Sequence, residues 1–277
     1  MAIVSVLMSV VKIIVYFYIS QIIPFLAYLI PYYKITKVNF YKRKYSMAIN
    51  IIVILVLYII NPSFLIYYLI FPYTMEFLFY LFNRLGRRMQ VYNRIVIISI
   101  IPTILLFIYF YPIKDNIVKI ANILPQMEEL VKLIGIERIK ILQQYFLYAN
   151  DYLLFGTFLM VFLATFFLFL TLIPGTYKMW KISCYWIIPY IVILWSKKFL
   201  NIPHNVFWEN NILEMIKYIF VWYGIKNLYI LTEKIGVKSN ILKHGISMLL
   251  GLMYPMVAFI IGALASFEFI EVKEIRI

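Results

Sequence analysis

The sequence predicts an all-α, polytopic transmembrane helical bundle, and three observations carry that prediction. Of the 277 residues, 65% are hydrophobic and only 14% are charged, against about 45–50% apolar and about 25% charged in an ordinary soluble domain. Mean hydropathy is +0.91. The apolar residues gather in runs near the roughly 20 residues that cross a bilayer as a helix, and the basic residues fall between those runs. Such an excess does not fit inside one water-soluble core, since even a large soluble domain leaves much of its surface in water. A soluble enzyme, a disordered chain and a secreted disulfide scaffold are excluded.

The elements follow in order. Residues 3–33 form a run too long for one upright span and are broken at Pro24 and Pro31. They divide into a helix over 3–20 and a short returning segment through Ile30, with a single tilted helix as the alternative. Lys34, Lys37, Lys42, Arg43 and Lys44 make the first basic block, and Arg84, Arg87, Arg88 and Arg94 the second. The apolar run between them breaks at Asn61-Pro62, a turn-favouring pair, so it predicts a helical hairpin. The positive-inside rule then places both basic blocks in the cytoplasm.

Residues 95–111 cross outward and end at Pro112. Residues 114–147 interleave charges with Ile, Leu, Val and Met at helical spacing, which predicts an amphipathic interfacial segment interrupted near Gly135. Residues 152–173 return, 182–195 cross outward, 197–211 form an external loop, 212–231 return, and 244–266 make the final span. Lys178 and Lys181, then Lys234, Lys238 and Lys243, mark cytoplasmic turns, while Lys197 and Lys198 fall on the outer side. The count is eight or nine membrane segments. They form one integral membrane domain over 1–277: helices one to five over 1–113, the interfacial segment over 114–147, and helices six to nine over 148–277. This path starts the chain in the cytoplasm and ends it outside, with no removable signal at its start.

Charge and cysteine usage narrow the partners. The net charge of +14 fits basic loops against anionic headgroups and not nucleic acid. A single cysteine, Cys184, excludes an intrachain disulfide and a cysteine-ligated cluster. With only His204 and His244 besides, no metal and no cofactor is expected. The abundance of Ile, Tyr, Phe, Lys and Asn has the bias of an AT-rich genome, so the 19% aromatic content is not in itself a ligand signal. Trp180, Trp186, Trp195, Trp208 and Trp222 near segment ends read as an interfacial belt.

A charge inside an apolar span is a functional candidate, because it costs at least about 2.5–3.5 kcal/mol on insertion scales. Glu76 is the clearest: eight residues before Arg84, it lies roughly 12 Å from that helix end. Lys12 sits midway along the first helix, and Lys217 and Lys226 lie within 212–231. The expectation is that Glu76 faces the interior, pairs with Lys12 or Lys226 and lines a polar cavity with Tyr73 and Tyr80. The structural alternative is a plain ion pair, or a protonated Glu76 bonded to one of those tyrosines. Glu214 and Lys217 are spaced to bond along one helix face, and Asp151 reads as a helix N-terminal cap.

Several weak motifs occur together: a first helix followed by Ile23-Pro24-Phe25-Leu26 and a basic loop; a hairpin ending Asn83-Arg84-Leu85-Gly86-Arg87-Arg88; and Gly224 in a span. With them stand a Lys234-Ile235-Gly236 turn, a last helix running into Gly262-Ala263-Leu264, and a tail with Glu268, Phe269, Glu271 and Lys273. In this the chain resembles the YybS-like family of polytopic bacterial membrane proteins, over nearly its whole length, although the tail departs in spacing and in using Glu. That family is similar in turn to the S-components of energy-coupling-factor transporters and to the rod-shape protein MreD. The resemblance implies an S-component-like set of six N-terminal helices with further C-terminal helices. It also implies docking of the first helix on a partner through small residues, for which Ala2, Ser5 and Ser9 are the matches. Small side chains let helix backbones approach in lipid, and packing within the protein itself is the alternative use.

The resemblance implies a non-catalytic module in a bacterial cytoplasmic membrane that binds or transports a small molecule with membrane-protein partner subunits. The alternatives are a scaffold of an envelope complex and, lower, a lipid-modifying enzyme with Glu76 or Asp151 as base. No phosphate loop, nucleophile elbow or metalloprotease motif occurs in the sequence.

Overall fold

The computed structural model describes residues 2–85, 89–127, 132–133, 135–199 and 205–267, with the side chains of Ala2 and Ile3 outside that description. Helices make up its regular structure, with no strand among the described residues. Five helices are long and apolar enough to cross a membrane, or six if one bent pair is counted as a span. The chain divides into two compact units, Met1–Arg88 with Arg94–Pro174, and Met89–Asn93 with Gly175–Ile277.

In the first unit, α1 (Ala2–Ile22) stops at Ile23, whose backbone leaves the helical region ahead of Pro24. A 3₁₀ turn over Pro24–Tyr28 leads into the short α2 (Leu29–Thr36), so the returning segment runs on past Tyr33. Helix α3 (Arg43–Ile60) ends at Asn61, and α4 (Pro62–Tyr68) starts on the next residue. Asn61 makes this turn in two ways. Its backbone is extended, and its side-chain oxygen accepts the Ser63 N–H at 2.8 Å, an N-cap ahead of a proline at the first helical position. The hairpin read at Asn61-Pro62 is therefore present.

Helix α5 (Thr74–Leu85) continues α4 through one π turn, and α6 (Val91–Phe110) follows. The amphipathic stretch folds as α7 (Lys114–Ile123) and α8 (Ile136–Asp151), packed on each other. Gly135 precedes α8 with φ +84°, a left-handed conformation that glycine adopts without penalty. Helix α9 (Leu153–Leu172) packs on the 3₁₀ turn, α2 and α5. The core centres on Ile13, Phe17, Ile30, Val53, Leu57 and Tyr68. Val4, Leu7, Val11 and Val15 on α1 and Ile51, Leu55 and Tyr58 on α3 are exposed, an apolar surface suited to lipid.

The second unit contains α10 (Ile188–Phe199), α11 (Val206–Lys234), α12 (Asn240–Met253) and α13 (Pro255–Ser266). Three expectations change here. The 182–195 span is the 12-residue α10, and α11 begins inside the expected external loop, where Lys197 pairs with Glu209 at 3.2 Å. The 244–266 span is two helices bent by 108° at Tyr254–Pro255. Helix α11 ends at the Lys-Ile-Gly turn, with Gly236 at φ +96° and the Val237 N–H reaching back to Thr232, a glycine C-cap.

Glycine also decides how α11 meets α13. A Cβ on Gly224 would lie 1.9 Å from the Ala258 carbonyl oxygen, and one on Gly262 would lie 2.1 Å from that of Phe220. The two backbones touch because neither position carries a side chain, the close approach that small residues permit between helices.

Candidate functional site

The strongest candidate is a buried ion pair beside the π turn between α4 and α5. Pro72 causes the local geometry, because it has no N–H and its ring clashes with the carbonyl four residues back. The chain widens to a π turn over Leu69–Tyr73. The Thr74 backbone N–H donates to the Leu69 carbonyl, and the Thr74 hydroxyl donates to the same oxygen at 2.7 Å. The next turn buries Met75, Glu76, Leu78 and Phe79.

The cation comes from α2. Ala27, Ile30, Pro31, Lys34 and Val38 are all buried, a stripe at helical spacing that carries one lysine inward. Lys34 Nζ lies 2.5 Å from Glu76 Oε2, with both side chains almost wholly enclosed. The same ammonium donates to the Tyr68 hydroxyl at 3.4 Å and stands 5.3 Å from the Tyr73 ring centroid and 5.9 Å from that of Tyr68. Aromatic faces attract cations, so the rings supplement the single carboxylate. Tyr80, one turn after Glu76, accepts a hydrogen bond from the Asn39 amide. Tyr73 and Tyr80 are 41% and 42% exposed, so the buried pair has an aromatic edge at the protein surface.

Glu76, Tyr73 and Tyr80 thus lie near one another around Lys34, which stands where Lys12 or Lys226 was expected. Lys12 is exposed on α1, with its ammonium 5.7 Å from the Tyr33 ring centroid. Lys226 belongs to the second unit, where it is buried and donates to the Trp180 carbonyl at 2.6 Å. Sequence reasoning missed Lys34 because charge alone grouped it with Lys37 and Lys42. The spacing of Ala27, Ile30, Pro31 and Lys34 was the signal that distinguishes it.

The remaining candidates fall elsewhere. Ser9 is buried, donates to the Ser5 carbonyl at 2.9 Å and lies 3.1 Å from the Tyr33 hydroxyl. It therefore serves packing inside the first unit, while Ser5 is exposed and the Ala2 side chain lies outside the described residues. Asp151 closes α8, and the N-cap position of α9 is Tyr152. Lys217 bonds Glu214 at 2.6 Å along one helix face. His204 and the acidic tail from Glu268 lie outside the described residues.

A second polar cluster, all in the second unit, ties α12 to α11. Glu233 accepts from Lys178 and Lys243, each at 2.9 Å, and the His244 ring stacks on Tyr229 at 4.4 Å. Hydrogen bonds from Lys178 and Lys243 hold the Glu233 carboxyl below its ordinary range.

The fold and these sites define a class: an all-α chain with helices of span length and a charged pair enclosed among apolar residues. No family model matches the chain, and neither a curated protein nor a solved structure matches it.

Proposed function

We propose that the protein is a multi-pass component of a bacterial cytoplasmic membrane, in contact with membrane lipids, that binds and moves a small molecule with partner subunits and has no catalysis of its own. The Lys34–Glu76 pair carries the reading. Apolar residues of similar volume would fill the same space at equal or lower free energy, so a pair kept in an apolar span is a functional candidate by default. Its position strengthens the reading, since π turns recur at functional sites. Tyr73 and Tyr80, each partly exposed, are the residues through which a polar ligand would meet the pair in this reading.

The layout of the YybS-like and S-component type belongs to the same proposal. Nine membrane segments result if α1, α2, α3, α4–α5, α6, α9, α10, α11 and α12–α13 all lie in the bilayer, with basic loops on the cytoplasmic face. The scaffold alternative finds less support, because Ser9 is turned inward.

Native mass spectrometry of gently extracted protein tests the function. The wild type should carry a small-molecule adduct that Glu76→Gln and Lys34→Met both lose. A wild type free of adduct, or an adduct that both variants keep, overturns the reading.

A further inference from the structure

The chain leading into α10 is irregular where it runs beside α11. A 3₁₀ turn over Pro174–Met179 gives way to Trp180–Ser183, which belong to no helix, before a second 3₁₀ turn over Cys184–Ile187. Both ends of this stretch are pinned by side chains from other helices. The Trp180 carbonyl accepts from Lys226 of α11 at 2.6 Å. At the other end one oxygen of Asn93, in α6, accepts the Ser183 N–H at 3.0 Å and the Trp186 indole N–H at 3.1 Å.

The 29 residues of α11 measure about 43 Å, longer than a hydrocarbon core of about 30 Å. Tyr92, next to Asn93, donates to the Ile219 carbonyl at 2.9 Å. The irregular stretch therefore stands beside α11 between Ile219 and Lys226, about 12 to about 22 Å from the Lys234 end. With α11 in the bilayer, as proposed above, that is membrane depth. Backbone outside a helix is tolerated there only where it is buried in protein or lines a water-filled cavity. Gln90, Asn93, Lys181, Ser183, Cys184 and Ser266 line a recess of about 430 Å³, all within the second unit, and its size suits a small molecule.

The wall is rich in donors. Among the described residues it contains no carboxylate, and Lys181 brings it a positive charge. Helix α6 starts at Val91, so the positive end of its dipole lies between Gln90 and Asn93. Because the Asn93 oxygen already serves two donors, its –NH₂ is the group left for a guest. The Ser183 oxygen accepts the Tyr185 N–H at 3.4 Å, which leaves its O–H to donate. The pinned backbone fixes these donors before anything binds, and that lowers the ordering cost of association.

We propose that the recess is a binding site for a carboxylate or phosphate group, held by the Lys181 ammonium, the Asn93 amide and the Ser183 hydroxyl. A free small acid and a lipid headgroup both carry that chemistry.

Cys184 reports on occupancy, since it lies in the wall and is the chain's single cysteine. Full-length protein in neutral detergent is alkylated with N-ethylmaleimide at constant ionic strength, with chloride replaced by acetate, inorganic phosphate or short-chain phosphatidylglycerol. A bound probe should slow alkylation saturably, by about tenfold at about ten times its half-saturating concentration. Asn93→Asp keeps the oxygen that pins Ser183 and replaces the donor with negative charge, and Lys181→Gln removes the cation. Each should lose the protection while its unprotected rate stays at the wild-type value. No protection by any of the three probes, or protection that either variant keeps in full, overturns the proposal. Protection by phosphatidylglycerol alone assigns the group to a lipid headgroup, and protection by acetate or phosphate assigns it to a free acid. Should Asn93→Asp change the unprotected rate, Lys181→Gln, at an exposed position, decides alone. The protection is read at Cys184, so its failure leaves the Lys34–Glu76 reading untouched.

Discussion

Replacing the Lys34–Glu76 pair one member at a time, and then both together, should give a non-additive pattern of stability. At 2.5 Å and an effective dielectric constant of about 20, the attraction is about 7 kcal/mol. Desolvation of the two ions, at several kcal/mol each, opposes it and leaves the pair close to neutral overall. Lys34→Met removes the attraction but not the cost of burying the carboxylate, and Glu76→Leu does the reverse for the ammonium. Each single change should therefore cost about 3–5 kcal/mol. The double variant, apolar and similar in volume, should return to within about 1 kcal/mol of the wild type or exceed it. The assay is equilibrium unfolding in mild detergent, followed by the fluorescence of the five tryptophans. A double variant that loses the sum of the two single losses would show that the residues act independently, and the reasoning would fail. Recovered stability with lost ligand adduct would separate the structural role of the pair from its proposed function.

Three further outcomes follow from the packing. Gly224→Ala and Gly262→Ala push a methyl group into backbone oxygens 1.9 and 2.1 Å away, so each should destabilise by about 1–3 kcal/mol or more, whereas Gly156→Ala, with nothing within 4 Å, should stabilise by about 0.5–1 kcal/mol; thermal unfolding of the three variants checks the contrast. Thr74→Val removes the hydroxyl that reaches Leu69 and should cost about 0.5–1.5 kcal/mol, and a variant as stable as the wild type would show that this hydroxyl is not needed at the π turn. Glu233 has its carboxyl held down by Lys178 and Lys243, so its contribution is complete above the unfolded carboxyl pKa of about 4.3 and is lost as pH falls through the lower folded value. Because Glu233 is 37% exposed, Glu233→Gln should cost under about 1 kcal/mol near neutral pH, and its gap from the wild type should close in acid.

Where the sequence carried a backbone-directing residue, the fold was legible in it. Asn61-Pro62, Gly135 and the Lys234-Ile235-Gly236 turn each impose a local conformation whatever surrounds them, and all three interrupt or end helices in the structure. The enclosure of Glu76 was legible too, because a carboxylate in an apolar run has little choice but to be sheltered. Its partner was not, since charge counting treats every lysine between two apolar runs as a loop residue, and only helical spacing separates Lys34 from Lys37. The bend at Tyr254–Pro255 escaped for a related reason. A hydropathy window averages across a proline that removes one donor without adding any polarity. Pairing across α11 and α13 depends on what is missing at Gly224 and Gly262, and the sequence shows those glycines without showing what they approach.

The brevity of α2 bears on a question of parity. The 3₁₀ turn and α2 together extend at most about 22 Å, short of a hydrocarbon core of about 30 Å. If this segment crosses, as in the nine-segment layout, the positive-inside rule puts the basic residues Lys42, Arg43 and Lys44 in the cytoplasm and the start of α1 there too. If it dips and returns, Ile22 and Arg43 share a face, and the same rule puts the start of α1 outside. One short helix is thus the point on which the orientation of α1 turns.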